Sequence, residues 1–258
     1  MDPLDALAIV GAGLGAGVVV TAIGAGSLVS FPILLAVGVN PLVANVSNTV
    51  GLVPGGLTGT WGYRSEMADY PALVARVAVT SAVGALVGAV LLLAFPPGAF
   101  EAVVPYLVLF ASTLVGVQPL VSAAVRRRAA RRGRPVAADR EAMGPRLSAV
   151  SSLVGVYGGY FGAGQGVMLV GFLALGLDVG LQTINALKSL AILSANVAAT
   201  VVFVFVAPLD WAVVGLLAAG SIVGGWMGAH LGRRLHPAVF RVLVVTFGYL
   251  VAIRLLLG

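Results

Sequence analysis

Two stretches of this chain place polar side chains at matching intervals inside apolar sequence. Asn45, Asn48 and Thr49 stand at i, i+3 and i+4, which puts them on one helix face. Asn185, Lys188 and Ser189 repeat the spacing. Amides and hydroxyls donate hydrogen bonds without carrying fixed charge, so such a face suits an oxyanion that must bind and then leave. Lys188 adds a positive charge, and it is the only lysine in the sequence. An unpaired ammonium within a membrane span costs on the order of 3 kcal/mol on insertion scales, and no Asp or Glu lies in its apolar run, 181–206. Either Lys188 attracts an anion or it snorkels to the interface. The asparagines have a competing use as helix-to-helix hydrogen bonds, each contributing about 0.6 kcal/mol.

Two glycine clusters interrupt apolar runs ahead of these faces: Gly24-Ala25-Gly26 and Gly162-Ala163-Gly164-Gln165-Gly166. Broken helices are tolerated in a membrane only where they line a cavity or are buried in protein. The helix that follows each break aims its positive dipole end at the break. Gly26, Gly164 and Gln165 therefore join the expected anion site, against the simpler reading of small residues packing closely. Pro54-Gly55-Gly56 is a further expected break, and Asn196 aligns with Gly56 as a candidate polar contact.

Other chemistries are missing from the sequence. There are no cysteines, hence no disulfide framework or thiolate metal site. No phosphate-binding P-loop, nucleophile–base set or metal-ligand cluster is visible. No carboxylate lies well within an apolar run, so no Asp/Glu proton relay is expected. His230 and His236 read as interfacial. No catalytic residue, metal or cofactor is expected, and the chain is not read as an enzyme.

The elements that must hold these residues are membrane helices. The chain has 258 residues, 60% of them hydrophobic and 9% charged, with mean hydropathy +1.07. Soluble domains carry about 25% charged residues, and a soluble fold of this composition would expose large apolar patches. The runs are too long and continuous for a membrane β-barrel. The class expected is an all-α polytopic membrane protein. The net charge of +6 comes from arginines in short loops, which marks orientation in a membrane rather than nucleic-acid binding.

Run lengths and breakers place helical segments at 5–23, 27–39, 42–61, 70–94, 103–125, 147–161, 165–177, 181–206, 210–230 and 238–257. This gives a first transmembrane repeat over 1–125, a basic linker over 126–146 and a second repeat over 147–258. The order of features recurs between the halves: glycine break, short apolar run, polar turn (Asn40, Asp178), then the Asn-containing helix. Paired Gly-interrupted short segments are a pointer to a transporter site. Ten segments make two inverted repeats of five; fusing the short segments with their predecessors gives the alternative, eight spans in a 4+4 arrangement. With ten segments and the N-terminus outside, the cytoplasmic side receives Arg64, Arg76, the 126–146 loop, Arg233, Arg234 and Arg241, while Asp2, Asp5, Glu101 and Asp210 lie outside and Arg254 alone of the arginines falls near the outer face. That distribution follows the positive-inside bias. Segments 27–39 and 165–177 reach only about 20 Å as helices, short of a core of roughly 30 Å, and are expected to be short or re-entrant.

The first repeat, with Gly24-Ala-Gly-Ser-Leu-Val-Ser-Phe-Pro32, Gly38-Val-Asn-Pro41, Ala44-Asn-Val-Ser-Asn-Thr49 and Gly62-Tyr-Arg64, resembles the TauE/SafE sulfite exporter family. Gly158-Gly-Tyr-Phe-Gly-Ala-Gly164 and Ile184-Asn-Ala-Leu-Lys188 are similar to that family's second repeat. The chain departs from the family's commoner Thr-Ser pattern at Asn45-Val-Ser-Asn48 and Asn185-Ala-Leu-Lys188. The resemblance implies a secondary transporter of sulfur oxyanions, such as sulfite or a small organosulfonate, in the cytoplasmic membrane.

The expectation is thus an exporter working by alternating access, with Lys188 supplying charge. Asn45, Asn48, Thr49, Asn185 and Ser189 supply hydrogen bonds, and the breaks at Gly26 and Gly164–Gln165 supply backbone N–H groups. Its partners are a small anion (sulfite or a sulfonate) and membrane lipid, without nucleic acid. A passive anion channel and a non-transporting membrane assembly partner are the alternatives.

Overall fold

The computed structural model describes residues 1–132, 142–231 and 237–257. Arg233, Arg234, His236 and residues 133–141 of the expected linker lie outside the described residues. The described residues form helices throughout: α1 (Pro3–Ala22), α2 (Ser27–Ala36), α3 (Pro41–Gly51), α4 (Val53–Trp61), α5 (Arg64–Met67), α6 (Pro71–Ala94), α7 (Pro97–Arg132), α8 (Pro145–Tyr160), α9 (Gln165–Gly176), α10 (Leu181–Val206), α11 (Trp211–Leu231) and α12 (Pro237–Leu257).

Local chemistry sets many boundaries. Proline occupies the first position of α1, α3, α6 and α8, where its missing N–H costs nothing. Asp2 and Asn40 accept from Leu4 and Leu42 N–H at the starts of α1 and α3, and Asp210 accepts from Ala212 and Val213 at the start of α11. Chain reversal after α1, α2 and α8 uses positive φ at Gly24 (84°), Gly38 (84°) and Gly162 (77°), a region open mainly to glycine. α1/α2 and α8/α9 are separate helices, so the eight-span alternative does not describe the segments.

Three features depart from the sequence reading. The break expected at Pro54-Gly55-Gly56 within 42–61 falls earlier, at Leu52, between α3 and α4, because Pro54 cannot continue the helical hydrogen bonding. Ser221 Oγ on α11 donates to Gly51 O at 2.9 Å and satisfies a carbonyl at that break. The short helix α5 was not expected. α7 continues to Arg132, so the start of the expected linker is helical.

Among the described residues, five helices are long and apolar enough to cross a membrane: Pro3–Ala22, Pro71–Ala94, Pro97–Leu120, Leu181–Val206 and Trp211–His230. Large apolar side chains such as Val79, Val83, Val90, Phe205 and Trp226 face outward, where lipid tails would cover them. The protein is a multi-pass helical membrane protein.

The two short helices fold back beside their predecessors. Met1 and Asp5 at the start of α1, Val37–Asn40 after α2, and Asp210 line one cavity of about 310 Å³, so α2 returns to the end from which α1 starts. A Cβ on Gly176 at the end of α9 would lie 2.7 Å from the Leu147 side chain at the start of α8, so α9 returns in the same way. These hairpins open at opposite ends of the bundle. Arg76, near the start of α6, donates to Met143 O beside α8. Beyond the other end of α6, Glu101 accepts from Asn40 Nδ2 at 2.9 Å. The 18 residues from Arg76 to the end of α6 at Ala94 separate these points by about 27 Å at roughly 1.5 Å per residue.

Packing between the halves is reciprocal. α1 lies along α11, and α8 lies along α6; α11 also packs on α3 and α4, and α6 on α10. Backbones approach closely at both main contacts. A Cβ on Gly17 of α1 would lie 2.7 Å from Ser221 O, and one on Gly155 of α8 would lie 2.6 Å from Ser81 O. Small residues permit this approach, which supplies the dispersion contacts that hold helices together in lipid.

Candidate functional site

The tips of the two hairpins meet. Gly166 N–H, at the start of α9, donates to Gly24 O, beyond the end of α1, at 3.1 Å. A Cβ on Gly24 would lie 2.6 Å from Gly166 Cα, and one on Gly166 would lie 2.5 Å from Gly24 Cα. Only glycine at both positions lets these backbones touch.

Lys188 comes to the same place from α10. Its aliphatic stem packs on Gly24, with Cδ 3.2 Å from where a Gly24 Cβ would stand. Its Nζ donates to Thr21 O, in the last turn of α1, at 2.8 Å. Lys188 is 1% exposed, so it does not snorkel. The ammonium rests against the negative dipole end of α1, and among the described residues it has no carboxylate partner. An ammonium has three N–H donors, and Thr21 O takes one of them.

The α3 residues anchor elsewhere in the same interior. Asn48 is buried, accepts from Ser30 Oγ at 2.5 Å and donates through Nδ2 to Ser27 Oγ at 3.1 Å. Asn45, also buried, donates through Nδ2 to Tyr160 O at 3.0 Å, at the end of α8. α3 is thereby tied to both hairpins. Among the described residues no hydrogen bond joins Asn45 or Asn48 to Lys188. The sequence reading missed Ser27 and Ser30 as partners of Asn48, although their i, i+3 spacing just after Gly26 was available as a signal.

The hydroxyls behave alike in the two copies. Thr49 Oγ1 donates to Asn45 O at 3.0 Å, and Ser189 Oγ donates to Asn185 O at 3.1 Å. Each hydroxyl has one proton, so in this conformation both protons serve their own helices. Asn185 is half-buried and Asn196 likewise.

Gln165 differs from the rest. It is 1% exposed, packs against Gly158, and neither its Oε1 nor its Nε2 has a hydrogen-bond partner. A buried unpaired amide costs about 1–3 kcal/mol. It sits next to Gly166, at the hairpin contact. The backbone N–H groups around it are engaged: Gln165 N with Gly162 O at 3.2 Å, Gly166 N with Gly24 O, and Val167 N with Gly164 O at 3.0 Å. The break at Gly164 therefore presents an unsatisfied side-chain amide in this conformation, while the neighbouring main-chain donors are committed. At the first break, Gly26 O accepts from Val29 N at 2.8 Å.

An aromatic cluster closes the interior around these hairpins. Phe31 of α2 meets Phe161 edge-on at 5.4 Å, and Phe100 of α7 meets Tyr160 at 5.9 Å. Tyr157 Oη donates to Ala163 O at 2.6 Å and braces the second break. Among the described residues there is no metal-holding group of His, Asp or Glu.

Comparison with known proteins fits this architecture. The family model described as "Sulfite exporter TauE/SafE" matches residues 9–255. A "Probable membrane transporter protein ORF9" from a Sinorhizobium species is 25% identical over 242 residues, covering 93% of this chain and 88% of its own. A "Probable membrane transporter protein" from Haemophilus influenzae is 23% identical over 239 residues, covering 90% of this chain and 87% of its own. No solved structure matches the chain. With broken hairpins meeting inside a helical membrane bundle and the family match running almost end to end, the chain belongs to the TauE/SafE sulfite exporter family.

Proposed function

We propose that this membrane transporter exports sulfite, or a related small sulfur oxyanion or organosulfonate, by alternating access around the hairpin contact. The observation that carries the reading is Lys188: a buried ammonium, held among the described residues by one main-chain carbonyl, where two broken hairpins touch. Such a charge is costly in a membrane interior and is relieved when an anion arrives. The unpaired amide of Gln165 lies beside the same contact and offers N–H donors to an oxyanion. Asn45 and Asn48 each retain an amide proton beyond those in use. Thr49, Ser189 and the backbone near Gly26 and Gly164 join the site as the tips separate.

The halves act as inverted repeats. Reciprocal packing of α1 on α11 and α8 on α6 supports this reading, as do hairpins that open at opposite ends. Rocking one half against the other would part Gly24 from Gly166 and free a backbone N–H for the anion. The N-terminus lies outside and the basic linker in the cytoplasm, in a cell membrane. The outer end then carries Asp5, Glu101 and Asp210, whose negative field disfavours return of an exported anion.

The selectivity test uses the purified chain in liposomes loaded with radiolabelled sulfite. Methanesulfonate in excess is expected to slow sulfite efflux, whereas chloride at the same concentration leaves it unchanged. Equal inhibition by chloride would remove the sulfur-oxyanion assignment. Orientation is read separately, by single cysteines in this cysteine-free chain. Asp2→Cys is expected to react with an impermeant maleimide on intact cells, and Arg64→Cys only after permeabilisation. The opposite labelling pattern would reverse the topology.

A further inference from the structure

The outer surface carries a second feature, on the lipid-facing side of α6. α6 and α8 border an open groove of about 630 Å³ at the end where Arg76 lies, with Ala72, Ala75, Val79 and Thr80 on one wall and Ser148 on the other. None of the residues lining it is acidic. Val79 also lines a second groove of about 400 Å³ between α6 and α10, with Ala82, Leu193 and Val197. Together they form one surface that is cationic at the bundle end and apolar toward the bundle centre.

Arg76 is exposed, lines the groove and is held in place: one guanidinium nitrogen donates to Met143 O, and among the described residues its other N–H groups have no partner. Arg64, at the same end, is turned elsewhere. It donates to Trp61 O at 3.1 Å and stacks 5.3 Å from the Trp61 ring centroid. The groove therefore has a guanidinium fork at the bundle end, beside a surface of Ala and Val side chains.

We propose that this groove holds an anionic phospholipid, with its phosphate on the Arg76 guanidinium and an acyl chain along Ala75, Val79 and Ala82. The charge pattern selects the occupant. A zwitterionic headgroup brings its own cation to the arginine, whereas an anionic headgroup leaves the guanidinium as its nearest counter-ion. A planar guanidinium pinned at one nitrogen loses little freedom on gripping a phosphate.

The test is native mass spectrometry of the full-length protein in detergent, with phosphatidylglycerol and phosphatidylcholine of identical chains mixed in equal amounts. The wild type is expected to retain phosphatidylglycerol about fivefold over phosphatidylcholine, the preference one well-placed arginine confers near a membrane surface. R76Q is expected to bring that ratio close to unity, R76K to keep most of it, and R64Q to leave it unchanged. Val79→Trp, which fills the groove without altering charge, is expected to lower retention of both lipids and guards against a misfolded R76Q. No preference in the wild type, or the wild-type preference in R76Q, would overturn the proposal. Unchanged lipid retention in Val79→Trp would do the same. Glycerol phosphate, which has the anionic group without chains, is expected not to displace the lipid; full displacement would assign the site to a soluble phosphate instead.

Discussion

Replacing Lys188 by alanine is expected to reduce anion flux to the level of empty liposomes while the chain still inserts and stays monodisperse in detergent. The two halves of this expectation have separate physical origins. Insertion does not suffer, because removing an ammonium from a span relieves a cost on the order of 3 kcal/mol. The Thr21 carbonyl loses its one side-chain donor among the described residues, and leaving it unpaired costs about 1–3 kcal/mol, no more than the relief. Flux suffers because the variant loses the one buried charge at the hairpin contact. A hydrogen bond to a charged partner contributes about 1.5–3 kcal/mol, equivalent to roughly a tenfold to hundredfold loss of binding. Lys188→Arg keeps the charge in a larger head and is expected to retain partial flux. Undiminished flux in Lys188→Ala would show that the lysine serves packing alone.

The second large effect is expected at Gly166. An alanine there places Cβ 2.5 Å from Gly24 Cα and 2.8 Å from Gly24 O, both backbone atoms that cannot rotate away. Forcing an extra carbon into a close-packed contact costs about 1–3 kcal/mol. Gly24→Ala adds the strain of a φ of 84°, about 1–2 kcal/mol for a residue with a side chain. Thermal unfolding in detergent is expected to fall by roughly 3–10 °C for Gly166→Ala and further for Gly24→Ala. Transport is expected to be lost in both, since the tips no longer close. Gly215→Ala is the control: nothing lies within 4 Å of the added carbon, and melting and flux are expected to match the wild type. A Gly166→Ala protein that melts and transports normally would remove the tip contact from the mechanism.

Much of this architecture was legible in the sequence, and the reasons are local. Proline at helix starts and glycine at reversals set many segment ends to within a few residues, as at α6 (expected 70–94, found Pro71–Ala94) and α10 (expected and found at 181–206), whereas α7 (expected 103–125, found Pro97–Arg132) runs longer at both ends. Pro54-Gly55-Gly56 announced a break, although only the structure places it at Leu52. α5 was hidden because a four-residue helix is too short to leave a periodicity. Lys188 stood out as a lone charge, but the choice between anchoring inward and snorkelling was not decidable from its neighbours. Its partner is a main-chain carbonyl of Thr21, a group every residue carries and no sequence pattern marks. The meeting of Gly24 with Gly166 is likewise a long-range approach between two backbones, and only the equivalence of the two glycine clusters hinted at it. Gln165 shows the reverse. Its position in the break was visible, while its unsatisfied amide emerges only from the packing around Gly158.

The central claim is that this chain, by itself, moves a small anion across a membrane through the hairpin contact. The most direct measurement is the rate of radiolabelled sulfite efflux from liposomes containing only the purified protein, followed against internal sulfite concentration. A saturable efflux above that of empty liposomes, lost in Lys188→Ala, is the predicted result. Efflux that rises linearly without saturation would indicate a passive channel, and efflux equal to that of empty liposomes would contradict the account.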